Sequence, residues 1–333
     1  GGFDGSESSP ADRNPSTPKT ILSADVLGDD DGLDNRSDNV TRLFDIHAPL
    51  GTVSLNGLTL TGGNGFDARG SGGAIWCEDA RLSLTDMTVL NHHAVDGGAL
   101  GALNCSLNLD TVSFVHNQAL LGGSGGAIYA RGGSLVADRV FLLGNRAVSY
   151  GGGVFVSYGT QFVSTNGVSI GNQAYVGGAL AFWSIDDTII THLSATENQA
   201  QSQADTIYGF GSTAAISNSI VIDPNRDSTF LASNATLTSS CVGNIAGVVL
   251  DATVLPTCTT IFTSTPSAGD DGEWGTSDDV FGDLTPVPAQ PGENAGSTPI
   301  TIEQGITLDA SGNSRVCGEA VDMGAYEITT GCN

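Results

Sequence analysis

The chain has 333 residues, 46 of them glycine, and charged residues make up only 14% of it. Its 36 acidic and 11 basic residues give a net charge of −25 at pH 7, which repels nucleic acids and anionic membrane surfaces. The sequence also lacks an apolar run of the roughly 20 residues that a membrane-spanning helix needs. We therefore expect no nucleic-acid partner and no membrane insertion.

Residues 1–50 are predicted to form an N-terminal arm followed by a first coil or cap. The arm, residues 1–20, is polar and proline-containing and has little apolar surface to bury. An acidic turn follows the first strand, and its carboxylates predict a calcium site with Asp29, Asp31 and Asp34 as ligands. The turn lacks the EF-hand pattern, and a solvated acidic loop is the favoured interpretation.

Residues 51–232 repeat one pattern about every 27 residues, which indicates a stack of similar units. Each repeat has a glycine pair, an apolar run, a polar turn and an alternating strand that ends in Asn-x-Ala. Apolar residues that alternate with period two indicate strands, and three short strands with their turns fill one repeat. The sequence therefore predicts an all-β fold, a single-stranded parallel β-helix with three-strand coils. The glycine pairs are expected at Gly72-Gly73, Gly97-Gly98, Gly125-Gly126, Gly152-Gly153 and Gly177-Gly178, with Ala204-Asp205 in the same place of a degenerate copy.

Glycine and asparagine are predicted to form the corners of the coils. Glycine pairs permit a positive φ where a side chain would collide with the next coil. The asparagines tolerate left-handed backbone at another corner, and their side-chain amides pair from coil to coil. This row consists of Asn117, Asn145, Asn172 and Asn198, and an earlier copy has His92 in the same place.

The six cysteines indicate disulfide bonds. Cys77 and Cys105 lie one period apart at matching places, so stacking predicts a Cα–Cα distance of about 5 Å and a bond between them. The remaining cysteines are paired only by proximity, as Cys241–Cys258 and Cys317–Cys332. An even number of cysteines without metal-site spacing favours an oxidising compartment. We expect the chain to be secreted or displayed at the cell surface.

Three aromatic residues, Trp76, Tyr129 and Tyr208, share one position of the repeat. Outward-facing rings would stack on sugars, whereas inward-facing rings would belong to the core. The core interpretation is favoured because the copies between them have smaller residues. Those residues are Gly101, Val156 and Ala181.

Three histidines, His92, His93 and His116, fall on neighbouring coils near one corner. A transition-metal site there is one interpretation, because imidazole is a common ligand of such metals. Partly exposed corner residues are the favoured alternative.

Residues 233–333 are predicted to form C-terminal coils, an acidic loop and a cap. The loop, residues 269–279, concentrates carboxylates around flexible glycines, and these charges repel each other without a cation. A bound calcium ion would relieve the repulsion. Residues 297–327 are expected to be short strands that close the C-terminal end. The predicted calcium ligands in the loop are Asp270, Asp271, Asp278 and Asp279.

Several motifs resemble a known group of proteins. They are GGFDGSES at residues 1–8, LNGLTLTGGN at 55–64, the GGAI[WY] repeats and SGNSRVCGEAVDMGAYE at 311–327. Together they resemble the secreted bacterial right-handed parallel β-helix proteins of the pectate-lyase-like superfamily. The closing DMGAYE resembles the end of the subgroup with a choice-of-anchor module. The resemblance implies a right-handed β-helix and secretion, and it is more specific for fold than for function.

Polysaccharide cleavage needs a test because many β-helices perform it. Eliminative cleavage requires a base and a cation, but the chain has one lysine and its arginines do not cluster. Hydrolysis requires two carboxylates about 5–10 Å apart. Stacking brings Asp110 above Asp138, although both are favoured as turn residues. The weak catalytic candidates are Asp110, Asp138, Asp186 and Asp187.

The favoured hypothesis is a non-catalytic, extracellular structural or adhesive β-solenoid. The strand edges at the two ends of a stack can pair with another copy, and such head-to-tail contacts build filaments. The expected partners are therefore a second copy of the chain or extracellular glycans. The alternatives are a polysaccharide lyase or hydrolase and a carbohydrate-binding surface protein.

Overall fold

The computed structural model describes residues 20–31, 35–49, 51–223, 230–243, 245–250, 253–255 and 262–329. Its strands stack as parallel coils, with each residue beside its counterpart one period away. The predicted all-β parallel β-helix is therefore confirmed. Residues 1–19, which make up nearly all of the predicted arm, lie outside the described residues.

The strands as far as residue 147 form the first coils. They are β1 (Thr20–Ser23), β2 (Phe44–His47), β3 (Thr52–Asn56), β4 (Leu58–Thr61), β5 (Asn64–Gly65), β6 (Ile75–Glu78), β7 (Arg81–Leu90), β8 (His93–Ala94), β9 (Leu100–Val115), β10 (Gln118–Ala119), β11 (Ile128–Leu143) and β12 (Arg146–Ala147).

The later strands complete the stack and add a short antiparallel pair and a helix. They are β13 (Val154–Ser157), β14 (Gln161–Thr165), β15 (Val168–Ile170), β16 (Gln173–Val176), β17 (Leu180–Trp183), β18 (Thr188–Thr191), β19 (Ser194–Thr196), β20 (Gln199–Gln203), β21 (Ile207–Ser217), β22 (Ile220–Ile222), β23 (Phe230–Thr238), β24 (Cys241–Val242), β25 (Ile245–Leu250), β26 (Phe262–Ser264) and β27 (Asp283–Pro286), with helix α1 (Thr298–Glu303).

Each middle coil contributes three strand segments to one parallel sheet of 19 strands. A fourth, short segment of the coil joins a second parallel sheet of six strands. The sequence does not reveal this segment, because four of its six strands have only two residues and leave no alternating pattern to detect. The six strands of the second sheet are β5, β8, β10, β12, β16 and β20.

Side chains alternate between the interior of a coil and its outer face. In β9, the buried side chains of Leu107, Leu109, Val112 and Phe114 alternate with more exposed ones. Each lies beside an apolar residue of β11 in the next coil. The interior is therefore one continuous apolar core that runs through the stack, the main source of stability in such a fold.

The predicted asparagine row is a buried hydrogen-bond ladder. The Nδ2 atom of each asparagine donates to the Oδ1 atom of the next at 3.0 Å, from Asn117 through Asn145 and Asn172 to Asn198. All four also donate from Nδ2 to backbone carbonyl oxygens one coil back. Since these side chains are buried, breaking one step would leave unpaired polar groups, at a cost of about 1–3 kcal/mol each.

The left-handed backbone predicted for the asparagines lies one residue earlier. The residue before each ladder asparagine has a positive φ, whereas the asparagines themselves do not. The amide is thus turned inward by the corner and does not form the corner itself. The corner residues are His116 (φ 52°), Gly144 (59°), Gly171 (65°) and Glu197 (58°).

The ladder ends in different groups on its two sides. At one end, the backbone N–H of His92 donates to Asn117 Oδ1 at 3.1 Å. At the other, the N–H of Asn198 donates to Asp223 Oδ1 at 3.1 Å, and the Thr206 hydroxyl donates to Oδ2. Burial raises the pKa of Asp223 to about 7, although the two hydrogen bonds lower it. Nearby acidic charges add to the increase in the pKa. The ladder therefore ends in a buried carboxyl group that titrates near neutral pH.

We predict that Asp223→Asn stabilises the protein above neutral pH. The folded state holds the Asp223 proton up to about pH 7, while the unfolded state releases it near pH 4. The wild-type free energy of unfolding therefore falls as pH rises between these values, by up to about 4 kcal/mol. Denaturant unfolding should show the variant to be more stable than the wild type by about 1–4 kcal/mol at pH 8, with the difference disappearing near pH 4. A pH-independent difference would contradict this.

The glycine pairs form a column because each second glycine faces a carbonyl of the next coil. A Cβ on Gly98 would come within 2.2 Å of Gly126 O, and one on Gly126 within 2.0 Å of Gly152 O. The fourth pair is therefore Gly151-Gly152, which corrects the predicted Gly152-Gly153 by one residue. Residues 151–153 are three consecutive glycines, so the sequence alone does not show which two form the pair. Ala204-Asp205 continues the column as predicted, with Ala204 at φ 55°.

We predict that Gly126→Ala destabilises the stack by about 3 kcal/mol or more, because backbone must move to admit the methyl group. Gly243→Ala is the control, since a Cβ there meets nothing within 4 Å. Urea denaturation measures both variants, and equal stability of the two would refute the steric explanation.

The predicted disulfide between Cys77 and Cys105 is present, with a Cα–Cα distance of 6.2 Å. The two residues are not at matching places, however. Cys77 lies beside Ala102, and Cys105 lies beside Gly133 in the coil beyond. The bond thus runs diagonally between neighbouring coils.

Cys241 and Cys317 each take part in a disulfide bond. Cys258 and Cys332 lie outside the described residues, so the two remaining pairings stay predictions.

Residues 262–329 pack along the side of the stack, which corrects the predicted cap of short strands at its end. They contain the antiparallel pair β26–β27 and helix α1. Val168 and Ile170 in β15 face outward and belong to a second apolar cluster with Trp274 and Leu284. The C-terminal segment therefore covers one outer face of the coils.

The DMGAYE motif, Asp322–Glu327, anchors this segment. The N–H of Gly324 donates to Asn218 O at 2.7 Å, and the N–H of Ala325 donates to Ser194 Oγ at 2.9 Å. Behind the motif, fully buried Arg315 pairs with Glu327, with 3.5 Å between nitrogen and oxygen. The motif is thus a docking element for the side of the stack.

Candidate functional site

Asp110 and Asp138, the two candidates for a catalytic pair, lie beside each other in neighbouring coils. Arg139 lies between the carboxylates, 2.5 Å from Asp110 Oδ1 and 3.3 Å from Asp138 Oδ2. The Thr165 hydroxyl also donates to Asp138 Oδ1 at 2.7 Å. These contacts are those of a structural corner, in which the cation offsets the repulsion between two acids.

The other two candidates, Asp186 and Asp187, are exposed and precede β18. The column of Asp138 continues instead through Thr165 and Thr191 at the far ends of β14 and β18. The fold therefore does not place Asp186 and Asp187 beside the stacked pair.

The acidic loop uses its carboxylates to hold itself together and to dock on the stack. Asp278 Oδ2 accepts from the Asp270 N–H at 2.7 Å, and Asp278 Oδ1 accepts from the Thr276 hydroxyl at 2.7 Å. Asp279 lies 3.0 Å from the Nε2 atom of His116. These contacts offset part of the repulsion that motivates the calcium hypothesis, which for Asp270, Asp271, Asp278 and Asp279 stays a prediction.

In the part of the chain that the structure describes, one acidic group has the spacing of a metal site. It contains Asp25, Asp29 and Asp30, whose oxygen atoms lie within 4.8 Å of one another. Only Asp29 of this group belongs to the predicted set; Asp31 is exposed, and Asp34 lies outside the described residues. The Gly28 N–H already donates to Asp25 Oδ1 at 2.6 Å.

The three histidines have separate structural roles. His92 is fully buried, not partly exposed, and its Nδ1 atom accepts from the Gly63 N–H at 2.9 Å. Burial lowers the pKa of His92 to about 3, so it is neutral. His93 contacts the Phe66 ring, and His116 holds the acidic loop.

The shared aromatic position faces outward, which corrects the favoured core interpretation. Ile128 and Ala130, on either side of Tyr129, point into the core, so Tyr129 points away from it. Trp76 is nevertheless buried, because its ring covers Gly101, where a Cβ would approach the ring to 2.9 Å. The column is Trp76, Gly101, Tyr129, Phe155, Ala181 and Tyr208, with Phe155 in place of the predicted Val156.

Around this column, neighbouring rings form a continuous patch that we call the aromatic surface. It includes four of the chain's six tyrosines, a residue type that is enriched at binding surfaces. Its rings are those of Tyr129, Tyr150, Trp183, Tyr208 and Phe210 together with the buried Phe155, and Tyr158 is joined to them through Arg131.

Tyr150 is the centre of the aromatic surface. Its ring centroid lies 5.8 Å from that of Phe155, 5.4 Å from Trp183 and 6.4 Å from Tyr208. The small Ala181 in the column leaves room for this ring between Phe155 and Tyr208. The contacts hold the rings in place, which reduces the entropy lost on binding.

The margins of the surface are exposed and carry polar groups. Phe210 is 50% exposed and lies 4.8 Å from the Trp183 ring. Tyr158 is 54% exposed, and the Arg131 guanidinium lies 4.8 Å from its ring centroid. Burial and the charge of Asp96 raise the pKa of Tyr129, so its hydroxyl stays protonated.

Sequence reasoning missed most of this surface, although the alternation of strands contains the signal. Arg131, Trp183 and Phe210 lie two residues after column positions and therefore share the outer face. Tyr150 forms an isolated bridge to Val176, and Tyr158 lies in a bend. No periodicity predicts the direction of either side chain.

Comparison with protein families supports the architecture. A family model described as the Chlamydia polymorphic membrane protein repeat matches residues 111–131. This stretch runs from the end of β9 through β10 into β11 and includes Asn117 and Gly125-Gly126. A comparison with curated proteins found no significant match. Among the described residues, no helix has the length and apolarity to cross a membrane.

Proposed function

We propose that the protein is a non-catalytic adhesive β-solenoid at the cell surface or in the extracellular space. The observation that carries the proposal is the match of residues 111–131 to a repeat of polymorphic membrane proteins. These residues span the junction between two coils of a continuous stack. We extend the membrane association in the family's name to a surface location of this chain. The Cys77–Cys105 bond fits an oxidising environment.

The outer face supports adhesion better than catalysis. The stacked acids Asp110 and Asp138 both contact Arg139, whereas a hydrolase needs one carboxyl group to donate a proton and another to act as base or nucleophile. In contrast, the aromatic surface presents fixed rings on a rigid stack, an arrangement suited to binding.

We predict that the purified chain, coated on beads, retains bacterial or animal cells from a panel without releasing reducing ends from polysaccharides. Asp110→Asn with Asp138→Asn should leave cell retention unchanged within about twofold, because both carboxylates contact Arg139 and lie outside the aromatic surface. Bead retention and a reducing-end assay measure the two properties. Polysaccharide cleavage that the double variant abolishes would overturn the non-catalytic assignment.

A second candidate function, head-to-tail assembly, is favoured by the N-terminal edge. Among the described strands, β1, β2 and β3 each pair along one edge only. Apolar side chains near this edge, such as Leu22 and Val53, are incompletely buried. Unpaired strand edges with apolar side chains favour association with another strand. A second copy of the chain is the partner we propose there.

We predict that the wild-type protein forms rods at high concentration and that Ile21→Lys prevents this, because Ile21 is 65% exposed in β1. Val280→Lys is the control, since Val280 is 56% exposed on the docked C-terminal segment. Sedimentation velocity and negative-stain microscopy should show rods for the wild type and control only. A wild type that stays monomeric at every concentration would exclude assembly.

A further inference from the structure

We propose that the aromatic surface binds a neutral polysaccharide whose chain runs along the axis of the stack. This inference rests on the proposed adhesive function and names the class of its ligand.

The direction follows from the arrangement of the rings. Tyr129 and Tyr208 are partly exposed in one column, in which Phe155 is buried, and Trp183 and Phe210 lie in a parallel column on the same face. Successive coils are separated by the strand spacing of about 4.8 Å, comparable to the length of one pyranose unit. An extended glycan along the axis would therefore meet a new coil with each sugar.

The chemistry of the rings matches a sugar better than a lipid tail. Pyranose rings have apolar C–H faces that pack on aromatic rings, while their hydroxyl groups need hydrogen-bond partners. Tyr129, Tyr150 and Tyr208 offer phenol groups beside the rings. Burial raises the pKa of Tyr208 as well as that of Tyr129, so both hydroxyls can donate. The Tyr129 hydroxyl already bonds to Ser157 and Arg131, so it is held in a fixed position beside the rings.

Charge selects a neutral glycan over an acidic one. The negative charge of Asp96 acts on Tyr129 at the margin of the surface, where it raises the pKa of the hydroxyl. The net charge of the whole chain is −25 at pH 7. Arg131, the cation at this margin, already lies over the Tyr158 ring. A uronate polymer would thus meet net repulsion.

Affinity electrophoresis and intrinsic fluorescence test the proposal on the full chain. The ligands are neutral β-glucan, xylan, mannan and dextran, with polygalacturonate and alginate as acidic comparisons. The variants are Trp183→Ala and Phe210→Ala, and Tyr175→Ala is the control because Tyr175 is 51% exposed outside the aromatic surface. Circular dichroism verifies that each variant is folded.

We expect at least one neutral polysaccharide to bind the wild type and Tyr175→Ala equally. Trp183→Ala and Phe210→Ala should each weaken binding about tenfold or more. Binding should also change the fluorescence of the wild type, since Trp183 is more exposed than the buried Trp76 and Trp274.

Two results would overturn the ligand class: equal binding by Trp183→Ala and the wild type, or binding of acidic polymers only. A failure to bind any glycan, with cell retention on beads intact, would also reject it while leaving the adhesive function standing. Loss of cell retention by the wild type itself would reject the adhesive function instead. Self-association that Trp183→Ala alone abolishes would identify a second copy as the occupant.

Discussion

Hydrogen bonding between coils at one strand spacing is the constraint on which the whole structure depends. Each coil must present its N–H and C=O groups in the same direction as the coil before it, because the groups inside the stack have no water to bind. The corners show how strongly this constraint acts. One corner column contains residues as different as Thr111, Arg139, Asn166 and His192, all with φ between 52° and 59°. Left-handed backbone is costly for threonine and arginine, so the stack, and not the residue type, imposes the conformation.

This constraint explains which parts of the fold the sequence predicts. The asparagine ladder and most of the glycine column repeat the same physical role in every coil, and the repetition is visible as a pattern. Where the pattern is ambiguous, prediction slips by a small amount: Gly151-Gly152 replaces Gly152-Gly153, and the Cys77–Cys105 bond is diagonal. The C-terminal docking is not predictable in this way. The hydrogen bond from Gly324 to Asn218 joins a unique segment to a repeated one, and no period relates them.

The candidate site follows the same division. The outward direction of Tyr129 is implicit in the alternation of its strand, but the size of neighbouring residues suggested burial. Tyr150, which joins the rings into one surface, lies in an isolated bridge to Val176 and depends on the small Ala181 for its position. Interior and exterior thus have separate tasks: buried amides and apolar residues maintain the stack, while the aromatic surface lies on its outer face.

The asparagine ladder also allows the number of coils, and so the length of the stack, to change. Its steps span between 25 and 28 residues, yet each step uses the same pair of groups. Duplicating one coil in the gene would insert another rung with every amide paired, and the two terminal groups would remain as they are. A lineage could therefore lengthen or shorten such a rod by whole coils, changing how far its binding face reaches while conserving the chemistry of both ends.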